Sequence, residues 1–318
     1  MKSQSVTAPS PTKKRYTFFT DIRRNRFSYL LILPALLYVL VFSYLSYPYM
    51  IIAFKHFNYK LGVFGSEWCG FKNFEFFLKS TNAPTVIRNT LVLNLLFIVT
   101  GTLTSLVLAI LLNELRSRVF VRTAQTMMLF PHYISWVVVS YILLAIFSNK
   151  NGLANQLLNA LGMKSVSWYT KADVWPTILV WMKIWKSAGM NAVIYLAAIT
   201  GIDESIYESA TIDGANRFQR IVSITVPLIM PTVCIMTLLA VGKIMNGDFG
   251  MIYALVGDQG ILYETPDVID TYVYRVLRQT GDPSQSMAIG LFQSLIGLVM
   301  VVGSNWIVKH TFHEGALF

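Results

Sequence analysis

The sequence predicts an all-α membrane protein with six transmembrane helices, and three observations carry that prediction. Hydrophobic residues make up 54% of the 318 and charged residues only 13%, with a mean hydropathy of +0.53. A soluble domain carries about 25% charged residues, so the deficit fits a surface that faces lipid. Six segments are mainly apolar: residues 29–54, 91–112, 127–147, 175–199, 231–245 and 287–308. Crossing roughly 30 Å of hydrocarbon takes about 20 such residues in a helix, and the fifth segment meets this only with a ragged outer end. The third observation is that the short connections alternate in their basic content.

The chain starts with a basic segment, residues 1–28. Seven of its 26 Lys and Arg (Lys2, Lys13, Lys14, Arg15, Arg23, Arg24 and Arg26) precede the first apolar run. Clustered there, the net charge of +10 reads as a cytoplasmic anchor beside anionic lipid rather than as a nucleic-acid surface. Residues 29–54 are too long for the apolar core of a signal peptide, and no small-residue cleavage site follows, so they form a retained span. Arg116, Arg118 and Arg122 follow the second span, Arg217 and Arg220 the fourth, and Lys309 the sixth. These positions alternate correctly for both termini to be cytoplasmic. The outer loops hold ten Lys and Arg, but long loops obey the rule weakly. The domain prediction is a membrane domain over 29–308, with a polar loop at 201–230, and a cytoplasmic tail at 309–318.

Within the spans, Gly101, Ser105 and Ala109 form a ladder of small residues, and Gly290, Ser294 and Gly297 a second one. Both predict close helix crossings, because lipid supplies no hydrophobic drive for helices to associate. Cys69 and Cys234 are far apart, and His56, His132, His310 and His313 are scattered, so neither a disulfide framework nor a metal site is predicted.

Between the fourth and fifth spans the chain turns polar for about thirty residues. Ser205 followed by Glu208 predicts a capping box and a helix start near Ser205. Gly214 is placed to stop that helix in a left-handed cap. A second short helix over 216–223 would present Phe218, Ile221 and Val222, and Pro227 and Pro231 would break the chain before it re-enters the bilayer. The result is a helix–Gly–helix elbow with apolar and acidic positions exposed.

The run Glu208-Ser209-Ala210, then Asp213-Gly214-Ala215, then Phe218, Pro227 and Pro231 resembles the EAA coupling motif of binding-protein-dependent ABC importer permeases, with Ser209 in place of the usual alanine. The resemblance extends along the chain. Leu33-Pro34-Ala35, Asn58-Tyr59, Trp68-Cys69-Gly70, Arg88-Asn89-Thr90, Phe130-Pro131-His132-Tyr133 and Gly152-Leu153-Ala154-Asn155 are similar to the carbohydrate-uptake branch that imports oligosaccharides and polysaccharide fragments. It implies a type I ABC importer permease fold in a bacterial inner membrane. It also implies that the elbow is a coupling helix docking on an ATPase: Glu208 and Asp213 as polar contacts or caps, Gly214 as the turn, Ala215 and Phe218 as docking surface, with Ser209 and Ala210 in the same coupling set. The implied partners are a second similar permease, two ATP-binding subunits and an extracytoplasmic solute-binding protein. ATP and Mg would sit on the ATPase. The chain itself carries no Gly-x-x-x-x-Gly-Lys-Ser/Thr run, so it is expected to be no enzyme and to bind no cofactor.

Lys183 and Lys186 lie in the fourth span, Lys183 roughly 12 Å along the helix from Trp175, and Lys243 lies towards the outer end of the fifth. A lysine at that depth costs about 2.5–3.5 kcal/mol without water or a partner, and no Asp or Glu is present in the same spans. These lysines, with the mid-span amides Asn191 and Gln293, are candidate pathway residues; structural pairing is the other reading of Lys183 and Lys186, snorkelling that of Lys243, and interhelical hydrogen bonds that of the amides. At helical spacing Trp181 and Trp185 fall on nearly the opposite face from the lysines, so they are read as packing or lipid-facing groups. If the lysines line the pathway, the cargo is expected to be an acidic, uronate-containing oligosaccharide. The alternatives are a neutral-sugar permease or, lacking an internal repeat to support it, a secondary transporter. Asp248, Asp258, Glu264, Asp267 and Asp270 gather in the last outer loop and are read as a solvated surface.

Overall fold

A computed structural model describes residues 22–149 and 151–311. The basic positions Lys2 to Arg15, His313 and the end of the tail lie outside the described residues. The chain divides into two compact units, residues 1–51 and 52–318. In the first, helix α1 (Arg26–Phe42) carries Pro34 within it and is followed by a 3-10 helix over Tyr44–Phe54. Together Arg26–Phe54 form one apolar run long enough to cross a membrane.

The second unit opens with a small antiparallel hairpin that pairs Lys55 with Trp68 and His56 with Glu67. Buried Asn73, on helix α2 (Lys72–Leu78), fixes it by donating to the carbonyls of Ala53 (2.8 Å) and Lys55 (3.0 Å). Helix α3 (Ala83–Glu114) covers the predicted second span with an extra turn and more at its start, where Pro84 lies in the first turn. The predicted third span is a broken one. Helices α4 (Arg118–Tyr133) and α5 (Trp136–Phe147) meet at 95°. Ser135 starts α5 by accepting from the Val138 N–H (3.3 Å).

After α6 (Leu153–Ala160) comes α7 (Trp175–Thr200), the predicted fourth span. The elbow consists of α8 (Glu204–Ile212) and α9 (Arg217–Arg220). A π-turn over Ile221–Thr225 leads directly into α10 (Val226–Val241). Helices α11 (Phe249–Val256) and α12 (Ile269–Thr280) precede α13 (Pro283–Thr311).

Two sequence expectations are corrected here. Pro227 and Pro231 do not break the chain, because Arg217–Val241 forms one helical run of 25 residues. In the π-turn the Val226 N–H bonds back to Ile221, which shifts the hydrogen-bond register just before Pro227. Pro227 then falls in the first turn of α10, where its missing N–H is tolerated. The fifth span also starts before residue 231 and ends at Val241.

Among the described residues, four helices are long and apolar enough to cross a membrane, or five if the bent α4–α5 pair counts as one span. Helix α7 has the length, but Lys183, Lys186 and Asn191 dilute its apolar character. It nevertheless runs through the centre of the unit, packed along α3. Ser105 and Ala109 of the first small-residue ladder are fully buried, and Ala109 shares a core with Ala192, Tyr195 and Ile199. In the second ladder, Gly297 faces the Gly242 carbonyl, 3.0 Å from where its Cβ would be, whereas Gly290 has open space. The tightest crossing was not foreseen. A Cβ on Gly189 would lie 2.1 Å from the Met128 carbonyl oxygen, so only glycine lets α7 approach α4. Gly189→Val is therefore expected to destabilise the protein by about 3 kcal/mol, read as a lower thermal midpoint in detergent. Gly101→Ala, with nothing within 4 Å, should not lower it, and equal losses for both would refute this account of the crossing.

Candidate functional site

Two places in the second unit bring the predicted residues together. The first is the elbow. Its helix starts at Glu204, beside Ser205 as expected, but the cap is Asp203, whose carboxylate accepts from the Ser205 N–H at 3.0 Å. That bond holds the Asp203 carboxyl below its ordinary value. Ser205 fits the capping-box pattern, but Asp203 lies at the true extended position before the first helical residue, so it takes the role. The end of α8 follows the expectation closely. Gly214 has φ +84°, the Gly214 N–H bonds to Thr211 (3.1 Å) and the Ala215 N–H to Ala210 (2.9 Å). This paired closure needs a left-handed residue at position 214. The second helix is capped reciprocally, Gln219 N–H to the Asn216 side chain at 2.9 Å and Asn216 N–H to the Gln219 side chain at 2.8 Å.

These caps fix a shape with apolar side chains outside. Ile212 is 86% and Phe218 73% exposed, and Val222 is exposed beside them, while Ile221 is half-buried. Glu208, Ser209 and Asp213 are exposed; Ala210 and Ala215 are half-buried. Between the helices lies a cleft of about 400 Å³, lined by Ala210, Asp213, Ala215, Gln219, Arg220 and Ser223. Arg220 holds α8 against α9 by donating to Thr211 Oγ1 at 2.9 Å. Tyr207 and Thr225 join the elbow to the π-turn at 2.9 Å. Ile212 lay outside the quoted motif, although its apolar character just before the Gly214 turn is a signal for a surface anchor.

The second place is where the helices break. At the α4–α5 bend the hydrogen-bond ladder of α4 ends with the Ile134 N–H donating to the Pro131 carbonyl at 3.2 Å, which leaves the neighbouring carbonyls to other donors. Lys186 Nζ donates to the carbonyls of Pro131 (3.2 Å), His132 (2.8 Å) and Ile134, and lies 5.1 Å from the Trp136 ring centroid. It is 9% exposed. A cation at a helix C-terminus is favoured by the aligned backbone dipoles, and in hydrocarbon no water replaces those bonds.

The second break, residues 242–248 between α10 and α11, is held from three sides. Asn94 donates to the carbonyls of Ile244 (2.9 Å) and Asn246 (3.1 Å). Gln293 donates to Met245 (3.0 Å) and to the Asp270 carboxylate (3.1 Å), and the same carboxylate oxygen accepts from the Gly247 N–H at 2.5 Å. Gln293 thus makes the interhelical bonds that were one of its two readings. Asp248 caps α11 through Oδ1, accepting from the Met251 N–H at 3.1 Å, and its Oδ2 accepts from Lys183 Nζ at 2.7 Å.

That ion pair gives Lys183 an acidic partner from just outside the predicted fifth span, which the sequence reading did not foresee. The reading of the last acidic loop as solvated holds for Asp258 and Glu264, which are exposed, and is corrected for the other three acids. Asp248 pairs with Lys183, Asp270 supports the break, and Asp267, 5% exposed, pairs with Arg275 at 2.5 Å. Asp248 was legible as a helix cap before an apolar run. Its pairing was not, because Lys183 is 65 residues away. Lys243 is exposed, Asn191 is half-buried, and Trp181 and Trp185 are both exposed on an apolar groove with Ile142 and Phe147.

Residues 101–312 match the family described as binding-protein-dependent transport system inner membrane component. The chain is 35% identical over 302 residues to Protein LplB of Bacillus subtilis strain 168, covering 95% of this chain and 94% of that one. It is 32% identical over 324 residues to the polygalacturonan/rhamnogalacturonan transport system permease protein YteP of the same organism, covering 99% of each. A solved bacterial ABC transporter, described as involved in import of the acidic polysaccharide alginate, superposes with a TM-score of 0.84 at 33% identity, over 92% of this chain and 99% of that one. The chain therefore belongs to the inner-membrane components of binding-protein-dependent transport systems, as the non-enzymatic permease subunit of an ABC importer.

Proposed function

We propose that this permease carries acidic, uronate-containing oligosaccharides. The observation that carries the reading is Lys183: its side chain is 31% exposed at mid-helix depth, so a cation stands within the membrane domain where a carboxylate can reach it. The relative YteP, named for transport of polygalacturonan and rhamnogalacturonan, and the alginate transporter support the same class. In this reading six spans place both termini and the elbow in the cytoplasm, the membrane domain occupies residues 29–308, and residues 1–28 and 309–318 flank it. Ile212 and Phe218 dock on one of two ATP-binding subunits, with Gly214 and Asp213 fixing the turn and Glu208, Ser209, Ala210 and Ala215 completing the surface. ATP and Mg act on those subunits. A second permease completes the pathway, and a solute-binding protein delivers the cargo. A neutral cargo is the second reading, favoured by the pairing of Lys183 within the chain.

The test is ATP hydrolysis by the complete purified assembly with its binding protein. Oligouronate-loaded binding protein should stimulate hydrolysis, and neutral oligosaccharides of equal length should do so several-fold less. Equal stimulation by both would establish the neutral reading.

A further inference from the structure

The two lysines of α7 do different work. Lys186 is buried and held by three carbonyls, so it has no bonding capacity left for a solute. Among the described residues Lys183 has one polar partner, Asp248, and both side chains keep surface, 31% and 26%. Asp248 is anchored separately, since its other oxygen caps α11 and the backbone before it is fixed by Asn94, Asp270 and Gln293. When the ion pair opens, Asp248 therefore stays in place and Lys183, on a flexible four-carbon stem, is the group that moves.

We propose that Lys183 and Asp248 form an exchangeable carboxylate subsite, in which a uronate carboxylate of the cargo displaces Asp248 from the lysine. The inference rests on the acidic-oligosaccharide reading and adds a role for Asp248. The incoming and resident groups are the same chemical species, so the lysine exchanges one carboxylate for another and is never left as a bare charge in low dielectric. The resident carboxylate remains close by and repels the bound one, so the cargo is held briefly. Passage through a pathway requires binding that is favourable enough to enter and weak enough to leave.

The experiment uses the complete assembly in ATP-loaded proteoliposomes, with trigalacturonate and its fully methyl-esterified, neutral counterpart as probes. Lys183→Met should lower trigalacturonate uptake about tenfold, the effect of losing one charge-assisted bond, and leave ester uptake unchanged. Asp248→Asn should lower both the apparent KM and the maximal rate for trigalacturonate, since the cargo now meets an unopposed cation. The double variant removes both charges and leaves neither one unpaired. It should keep ester uptake, which reports folding, while trigalacturonate uptake stays low. Recovery of trigalacturonate uptake in the double variant would make the pair a structural tie and overturn the proposal, as would an unchanged KM in Asp248→Asn. Failure of the wild-type assembly to prefer trigalacturonate over the ester would overturn the acidic-cargo reading itself.

Discussion

Lys186→Met is expected to lower the uptake of every oligosaccharide alike and to cost the fold on the order of 3 kcal/mol or more, because each buried carbonyl left without a donor costs about 1–3 kcal/mol. The three carbonyls of Pro131, His132 and Ile134 sit at a 95° bend; Pro131 keeps the Ile134 N–H, so those of His132 and Ile134 are the two that lose the lysine as donor. The substituted methionine fills the space of the lysine stem but donates nothing. Thermal inactivation of the detergent-solubilised assembly measures the loss. A variant of normal stability that fails only on acidic cargo would instead place Lys186 in the pathway. The contrast with Lys183→Met, which should discriminate between cargoes, separates two lysines that the sequence presents as equivalent.

The second large effect is expected at the elbow. Ile212→Asp combined with Phe218→Asp should weaken association with the ATP-binding subunit by about 4 kcal/mol, roughly a thousandfold, if each anchor behaves as an interface hot spot. Both side chains are exposed, at 86% and 73%, and neither α8 nor α9 buries any residue of its own. The substitutions should therefore leave the membrane domain intact. Pull-down of the ATP-binding subunit should fail while the second permease still co-purifies. Retention of the ATP-binding subunit at wild-type levels would remove these two residues from the docking surface.

Local signals in the sequence reported local structure well. Gly214 predicted a left-handed stop, and its φ of +84° with two closing hydrogen bonds is that stop. The buried Ser105 and Ala109 were legible as a helix contact because a ladder of small residues needs only helical periodicity. Where two local signals competed, geometry decided. Asp203 and Ser205 are both good caps, and only the backbone at Asp203 is extended. Pro227 and Pro231 look like breakers on their own, yet Pro227 follows a five-residue π-turn into the first turn of α10 and Pro231 lies within the same continuous helix.

The charged centre was the least legible part, for a physical reason. Charges and amides within the fold are stabilised by partners in space, and those partners come from distant segments: Asp248 for Lys183, the α4 terminus for Lys186, Met245 and Asp270 for Gln293. Composition showed that the lysines needed compensation. It could not show that one would find a carboxylate and the other three carbonyls.

The most direct measurement is site-specific photo-crosslinking from position 218 in the intact assembly, in native membranes. If the elbow is the cytoplasmic coupling surface, the adduct is the ATP-binding subunit, and it disappears when Ile212 is replaced by aspartate. An adduct with the solute-binding protein would place the elbow on the opposite side of the membrane. Either that adduct or no ATP-binding-subunit adduct in an assembly that still transports would contradict the account.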